Sequence, residues 1–292
     1  MNVKTIAFIG LGNMGGPMAA NLVKAGYRVL GFDPSGEAME RAREKGIEAA
    51  SSGKDAVADA DVVFTMLPNA TFVREVWSDL VPAAPAGTVM ADCSTIDVVT
   101  ARDMHALATK HGLKAADAPV SGGVSGAEAG KLTFMVGGEA DVFQVIEPLL
   151  SHMGQKAVLC GEAGAGQAAK ICNNMILGIN IVAVSEAFAL AEKLGLSHKA
   201  LFDVASTSSG QCWALTTYCP VPGLVSTSPS NNDYKPGAAA TMLLKDLRLS
   251  QEAAGVVSAK TPLGKHATEI YEEFVAEGHG GEDFSAIIRS LR

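Results

Sequence analysis

Four places in the chain combine residue types at spacings that can do chemistry. The first is Gly10-Leu11-Gly12-Asn13-Met14-Gly15, directly after the apolar run Thr5–Ile9 and opening a helical pattern. In a strand–turn–helix setting, Gly10 allows the tight turn, Gly12 lets the backbone approach a pyrophosphate, and Gly15 lets the helix pack on the strand. The helix N-terminus adds N–H donors and a positive dipole end, so the segment is expected to bind a dinucleotide. The second place is Asp33, which ends the next apolar run. Its carboxylate suits both ribose hydroxyls of NAD and repels the 2′-phosphate of NADP. No Arg follows in Asp33-Pro34-Ser35-Gly36-Glu37, so NAD is the expected cofactor, with a helix N-cap as the alternative role for Asp33.

The third place is the glycine-rich stretch Asp117–Ala127. Within it, Ser121-Gly122-Gly123 can present a hydroxyl and successive N–H groups to one anion, such as a substrate carboxylate. A purely structural loop is the competing reading. The fourth is Gly164–Asn174, which opens a long helical pattern. Lys170 and Asn174 are four residues apart and share a helix face. Ala168, Ala169, Ile171 and Cys172 surround the lysine with neutral groups. Such surroundings, beside a cationic nicotinamide, disfavour the ammonium, which is what a general base for an alcohol needs. No His–Asp pattern competes for that role, and the alternative is a surface lysine. Leu67-Pro68-Asn69 and Cys93-Ser94-Thr95 follow two further apolar runs. Turns beyond the carboxyl ends of strands are placed to line the nicotinamide half of a cofactor. Lys245-Asp246 lies mid-helix and reads as a solvated face, while Trp213 and Tyr218 read as core.

The elements that must position these residues change character along the chain. Up to about residue 160, unalternating apolar runs at 5–9, 28–32, 62–67, 88–91, 113–116, 133–136 and 157–159 are separated by helical patterns at about 14–25, 37–45, 71–77 and 98–111. Runs apolar on both faces belong in a sheet covered by helices on both sides, here an open, mostly parallel, doubly wound sheet. After Gly161 the strand signal ends. A proline-free helix is expected over about 167–194, then helices at about 197–207, 237–254 and 262–277, with a Pro/Ser/Asn-rich loop over 218–235. The expected division is a nucleotide-binding domain over 1–163 and an all-α domain over 164–292, joined by the long helix.

Composition excludes several classes. With 48% hydrophobic and 18% charged residues the chain has enough apolar surface to fold, and its net charge of −8 argues against nucleic acid as a partner. The five cysteines are widely spaced with no C-x-x-C, which fits reduced thiols in the cytoplasm. No histidine or cysteine cluster has metal-ligand spacing, so no metal is expected. No charge-free apolar run reaches about 18 residues, and the N-terminus lacks a signal peptide's cleavage region, so no membrane association or secretion is expected.

Taken in order, Phe8–Gly15, Asp117–Gly123, Gly166–Asn174, Ser208-Ser209-Gly210, Cys212-Trp213, Pro220–Gly223 and Lys245-Asp246-Leu247 make the chain resemble the β-hydroxyacid dehydrogenases over nearly its whole length. The resemblance implies a Rossmann-type domain joined by a long helix to a helical domain, and a small hydroxyacid as substrate. It implies Lys170 as catalytic acid/base with Asn174 orienting substrate. Ser121, Gly122 and Gly123 would hold the substrate carboxylate, and Trp213, Tyr218 and Asp246 would border the pocket. Lys245 would lie near the cofactor, together with Gly10, Leu11, Gly12, Asn13, Met14, Asp33, Leu67, Pro68 and Thr95. It also implies a homodimer or homotetramer through the helical domain. Gln211 stands where the family leads one to expect Arg, and Cys219 where it leads one to expect Asn; both bear on substrate choice.

Overall fold

The computed structural model describes residues 3–292. Residues up to Lys170 form one compact unit and Ile171–Arg292 a second. In the first unit the chain alternates strand and helix: β1 (Thr5–Ile9), α1 (Gly15–Lys24), β2 (Arg28–Phe32), α2 (Gly36–Glu44), β3 (Glu48–Ala49), α3 (Gly53–Val57), β4 (Val62–Thr65) and α4 (Ala70–Leu80). Next come β5 (Val89–Asp92), α5 (Val98–Lys110), β6 (Lys114–Asp117), β7 (Val120–Ser121), α6 (Gly123–Glu128), β8 (Leu132–Gly138), α7 (Ala140–Met153) and β9 (Gly154–Gly161). The described strands make one sheet in the order β3-β2-β1-β4-β5-β6-β8-β7, with β9 paired to β8. Pairing is parallel from β3 through β6. β8 then runs antiparallel to both β6 and β7, and β9 parallel to β8.

The mostly parallel sheet expected from the apolar runs is present, and both its faces are buried. One face packs Phe8, Phe64, Val89 and Phe134 against Met18, Leu22 and Ile146. The other packs Ala7, Val63 and Met90 against Val57, Trp77 and Met104. Because every parallel strand points the same way, the turns after β1, β2, β4 and β5 gather at one edge, where a doubly wound sheet binds its ligands.

The long helix α8 (Ala165–Lys193) starts two residues earlier than the sequence pattern suggested and has 29 residues. By length and composition it could cross a bilayer, yet half of its most apolar window is buried within the protein. Ile181, Val182, Val184 and Phe188 fill the second unit's own core, which identifies a core helix. The remaining helices are α9 (His198–Ala205), α10 (Trp213–Thr216), α11 (Ala240–Val256) and α12 (Pro262–Phe274), followed by a 3-10 segment over Phe284–Ser290. The division into compact units falls after Lys170, within α8. Asp117 and the Ser94–Ile96 turn bind the first turn of α8, so that turn packs with the sheet.

Within the second unit a close approach sets the register of α8 on α11. A Cβ at Gly178 would lie 2.7 Å from Leu247 Cδ2, so only glycine lets Leu247 seat there. That contact brings Asp246 alongside Asn174, one turn before Gly178.

Candidate active site

The dinucleotide turn follows from local backbone demands. Gly10 has φ +90°, and a Cβ there would strike the Met66 carbonyl, while a Cβ at Gly15 would overlap the Gly10 carbonyl oxygen. Gly12 differs: no atom lies within 4 Å of a Cβ built there. The protein's own packing does not require glycine at that position, which leaves open space of the kind a close-approaching ligand fills. Among the described residues no side chain caps α1. Arg41 and Lys45 line the same groove as Leu11, Gly12 and Asn13, adding cations that complement an anionic ligand. These residues fit the pyrophosphate of a dinucleotide. Leu11 itself is 2% exposed, its side chain in the core and its N–H donated to Asp33 Oδ2 (2.8 Å). Met14 likewise packs against the core, so both bring backbone rather than side chain to the turn.

Asp33 is not the cap of α2. Ser35 holds that position and accepts the Ala38 N–H, whereas Asp33 accepts the N–H groups of Leu11 (2.8 Å) and Ser35 (2.8 Å), one on each oxygen. The carboxylate is thus fixed in place at the end of β2, with lone pairs left for ribose hydroxyls.

Leu67 and the turn after β5 are joined. The Leu67 N–H donates to Ser94 Oγ (2.8 Å), and Ser94 Oγ donates to Asp92 Oδ1 (2.6 Å). Pro68 and Thr95 flank this link in sequence. Asp92 is 3% exposed, accepts also from Thr65 Oγ1 (2.6 Å), and its Oδ2 has no hydrogen-bond partner. Burial is the main cause that pushes its carboxyl up to about 6; donated hydrogen bonds oppose the rise and nearby Asp117 adds to it. A carboxyl whose pKa is raised on folding is best tolerated in its protonated form. Its cost is absent below the ordinary value of 3.8 and grows as pH rises through about 6. The difference in unfolding free energy between wild type and Asp92→Asn is therefore expected to move against the wild type by up to about 3 kcal/mol between pH 4 and pH 7. Urea denaturation at several pH values checks this, and a difference that does not change with pH would show that Asp92 does not titrate in that window.

The stretch after β6 departs from the loop the sequence suggested. Ser121 ends β7, and Gly123 opens α6, a six-residue helix, after Gly122 at φ +136° and Gly123 at φ +64°. Both glycines adopt conformations that L side chains rarely take, so their presence is explained by backbone geometry.

Lys170 is 8% exposed and Asn174 5%, both on the buried stripe of α8. Asn174 Nδ2 donates to Asp246 Oδ2 (2.5 Å), and Asn173 Nδ2 donates to Asn174 Oδ1 (3.0 Å). Asp246, a pocket border by the family resemblance and a solvated face by its spacing, contacts Asn174 directly and fixes the orientation of its amide; Lys245 Nζ lies 3.3 Å from Asp246 Oδ1. Trp213 stacks on Tyr218 with ring centroids 4.9 Å apart, and Tyr218 stacks on Phe284 at 4.8 Å. The Tyr218 hydroxyl donates to Asp283 (2.8 Å), and burial beside that carboxylate holds the phenol far above its ordinary range. Tyr218 is therefore committed to the helical core, while Trp213 is half exposed. Of the two departures, Cys219 is fully buried and its carbonyl accepts from Ser228 and Ser230, so it is a packing position; Gln211 is exposed.

Sequence reasoning assigned no role to Asp92, Asp117 and Gln167. Asp117 Oδ1 accepts the Gly164 N–H (2.7 Å) and lies 3.1 Å from His105 Nε2, and its Oδ2 accepts the Gln167 N–H (2.9 Å). The available signal was that two neighbouring apolar strands both end in Asp, and Asp92 and Asp117 indeed pair in register.

Comparison with known proteins supports the same picture. Residues 5–161 match the family of the NAD binding domain of 6-phosphogluconate dehydrogenase, and residues 164–291 that of the NAD-binding domain of NADP-dependent 3-hydroxyisobutyrate dehydrogenase. The chain is 53% identical over 288 residues to a probable 3-hydroxyisobutyrate dehydrogenase of Mycobacterium tuberculosis, covering 99% of this chain and 98% of the relative. It is 44% identical to an NAD-dependent L-serine dehydrogenase of Pseudomonas aeruginosa, covering 98% and 97%. A solved structure of Mycobacterium tuberculosis 3-hydroxyisobutyrate dehydrogenase with L-serine superposes with a TM-score of 0.96 at 52% identity, covering 99% of each chain. The chain belongs to the β-hydroxyacid dehydrogenase family and is an NAD-dependent 3-hydroxyacid dehydrogenase.

Proposed function

We propose that the protein oxidises 3-hydroxyisobutyrate to methylmalonate semialdehyde, a step of valine breakdown, with Lys170 as the general acid/base. The observation that carries this reading is a nearly buried lysine in the first turns of α8, four residues ahead of an asparagine whose amide is held by Asp246. Lys170 Nζ takes the proton of the 3-hydroxyl as the carbon–oxygen bond becomes a carbonyl, and returns it in the reverse direction. NAD, when bound, accepts the hydride from that carbon. Asn174 offers its amide to the substrate, and Ser121, Gly122 and Gly123 bind its carboxylate through the hydroxyl and backbone N–H groups. Gly10, Gly12, Asn13, Met14 and Asp33 hold the pyrophosphate and ribose of the cofactor, and Leu67, Pro68 and Thr95 line its nicotinamide. The family resemblance assigns Lys245 to the cofactor and Trp213 to the border of the substrate pocket.

L-serine is the second reading, favoured by the Pseudomonas relative and by the ligand named with the Mycobacterium structure. The two acids differ by methyl against ammonium beside the carboxylate. Exposed apolar side chains on the helical unit, among them Ile176, Leu190, Leu194, Val256 and Leu263, support pairing of subunits through it. Five free thiols support a reducing compartment, the cytoplasm.

Initial rates with 3-hydroxyisobutyrate, L-serine and other short 3-hydroxyacids, each with NAD and NADP, test this reading. The expected result is the highest kcat/KM for 3-hydroxyisobutyrate with NAD. Asp33→Ser is expected to weaken NAD and improve relative use of NADP. Equal or better kcat/KM of the wild type with NADP would remove Asp33 from the ribose, and a preference for L-serine would install the second reading.

A further inference from the structure

One buried chain of hydrogen bonds runs from the strand ends at the cofactor edge to the helix that carries Lys170. Trp77 Nε1 donates to Thr65 Oγ1 (3.1 Å), and Thr65 Oγ1 donates to Asp92 Oδ1 (2.6 Å). Ser94 Oγ donates to the same carboxylate oxygen (2.6 Å) while accepting the Leu67 N–H (2.8 Å). On its other side this turn meets Gln167. The Gln167 Nε2 donates to the Ser94 carbonyl (2.7 Å), and its Oε1 accepts the Ile96 N–H (3.1 Å).

Gln167 has no solvent exposure and stands three residues before Lys170, just under one helical turn. Its side-chain amide is committed at both ends to the backbone of another segment. That arrangement adds nothing to helix propensity or to apolar packing; what it does is fix the distance between the turn after β5 and the first turn of α8. Asp92 fixes the same turn from the sheet side through Ser94, and Ser94 in turn holds Leu67.

We propose that Gln167 and Asp92 are positioning residues for the oxidation step. They clamp the Ser94–Ile96 turn, and through Ser94 the Leu67 turn, at a set distance from the backbone of Lys170. This deepens the reading above and rests on it, since it takes Leu67, Pro68 and Thr95 as the nicotinamide wall and Lys170 as the proton carrier. The physical reason for a two-sided clamp lies in the reaction. The hydride leaves carbon and the proton leaves the oxygen bonded to it, so the wall that places one and the lysine that accepts the other must keep a common frame. A misplacement of about 1 Å at such a site costs roughly 100-fold in rate.

The test uses Gln167→Met, which keeps side-chain length and removes both hydrogen bonds, and Ser94→Ala, which removes the hydroxyl's ties to Leu67 and Asp92 and leaves only the Ser94 N–H on Asp92 Oδ1 (3.3 Å). Three quantities are measured: kcat with 3-hydroxyisobutyrate and with L-serine, the deuterium isotope effect with substrate labelled at the transferred hydrogen, and NAD affinity by direct titration. For Gln167→Met the expected result is a loss of about 10–100-fold in kcat, an isotope effect shifted from the wild-type value, and NAD affinity kept within about threefold. Ser94→Ala should show the same pattern at smaller amplitude, and it decides the matter if Gln167→Met does not fold. The proposal is overturned if kcat stays within about threefold of wild type, or if it falls with an unchanged isotope effect, or if NAD affinity falls in parallel. Lys170→Ala run alongside separates the two ideas. An active Lys170→Ala sinks the catalytic reading itself, whereas an inactive Lys170→Ala beside a normal Gln167→Met sinks only the clamp.

Discussion

Lys170→Ala is expected to lower kcat by about 10²–10⁴-fold, the usual contribution of a positioned proton transfer. That corresponds to about 3–5 kcal/mol of barrier at about 1.4 kcal/mol per decade. The expectation rests on the near burial of Lys170, on its place in the first turns of α8, and on the fixed amide of Asn174 four residues on. NAD affinity should survive the substitution, because the groups assigned to the cofactor phosphates belong to the Gly10–Gly15 turn. Lys170→Arg should not restore the rate, since a guanidinium stays protonated and cannot serve as a base. The wild-type oxidation rate should rise with pH through a group that the alanine variant lacks. Measurement of kcat against pH for both proteins, with NAD titration beside it, decides the matter. A variant within tenfold of wild type, or one with the same pH limb, would move the base elsewhere and leave Lys170 as a binding residue.

How much of this was legible in the sequence depended on whether the physical requirement was local. The Gly10–Gly15 turn is written in consecutive residues, because each glycine answers a backbone clash or an open approach within its own turn. The apolar runs marked β1, β2, β4 and β5 because burial on both faces leaves few polar positions. β3 and β7 escaped notice because two-residue strands have no periodicity to read. α7 escaped although Val142, Ile146, Leu149 and Met153 repeat at helical spacing, since Pro148 interrupts the pattern inside it. The reversal of β8 had no local signal either; the chain turns back after β7, across α6, so that β8 runs against both β6 and β7. At the site, Asp92, Asp117 and Gln167 were not legible as anchors. The partners of Gln167 include backbone groups more than 70 residues away, and no spacing along the chain encodes such contacts. Asp246 could be named from the resemblance, but its role behind Asn174 follows from Gly178, whose missing side chain lets α11 approach.

Asp117→Asn is expected to destabilise the fold by about 3–5 kcal/mol, the usual range for breaking a buried charged interaction by removing one side of it. The carboxylate accepts the Gly164 and Gln167 N–H groups on separate oxygens, with His105 Nε2 against one of them. An amide has a single acceptor atom, so one of those N–H groups would face an NH₂. A buried donor left in that state costs about 1–3 kcal/mol by itself, and the lost charge weakens the remaining bonds. The surroundings cannot relax to help. A Cβ at Gly137 would lie 2.5 Å from Asp117 Oδ1 and one at Gly166 2.8 Å from Oδ2, so glycines already crowd the carboxylate on two sides. Asp117→Glu, one methylene longer, should therefore be no rescue. Because Asp117 holds the N-terminus of α8 six residues or fewer before Lys170, activity should fall together with stability. That pattern separates it from Lys170→Ala, which should lose activity with the urea midpoint little changed. Urea denaturation of the two variants, with kcat measured well below each midpoint, checks the distinction. An Asp117→Asn protein with a wild-type midpoint would mean that the first turn of α8 is held by its other contacts, Gln167 to the Ser94–Ile96 turn among them.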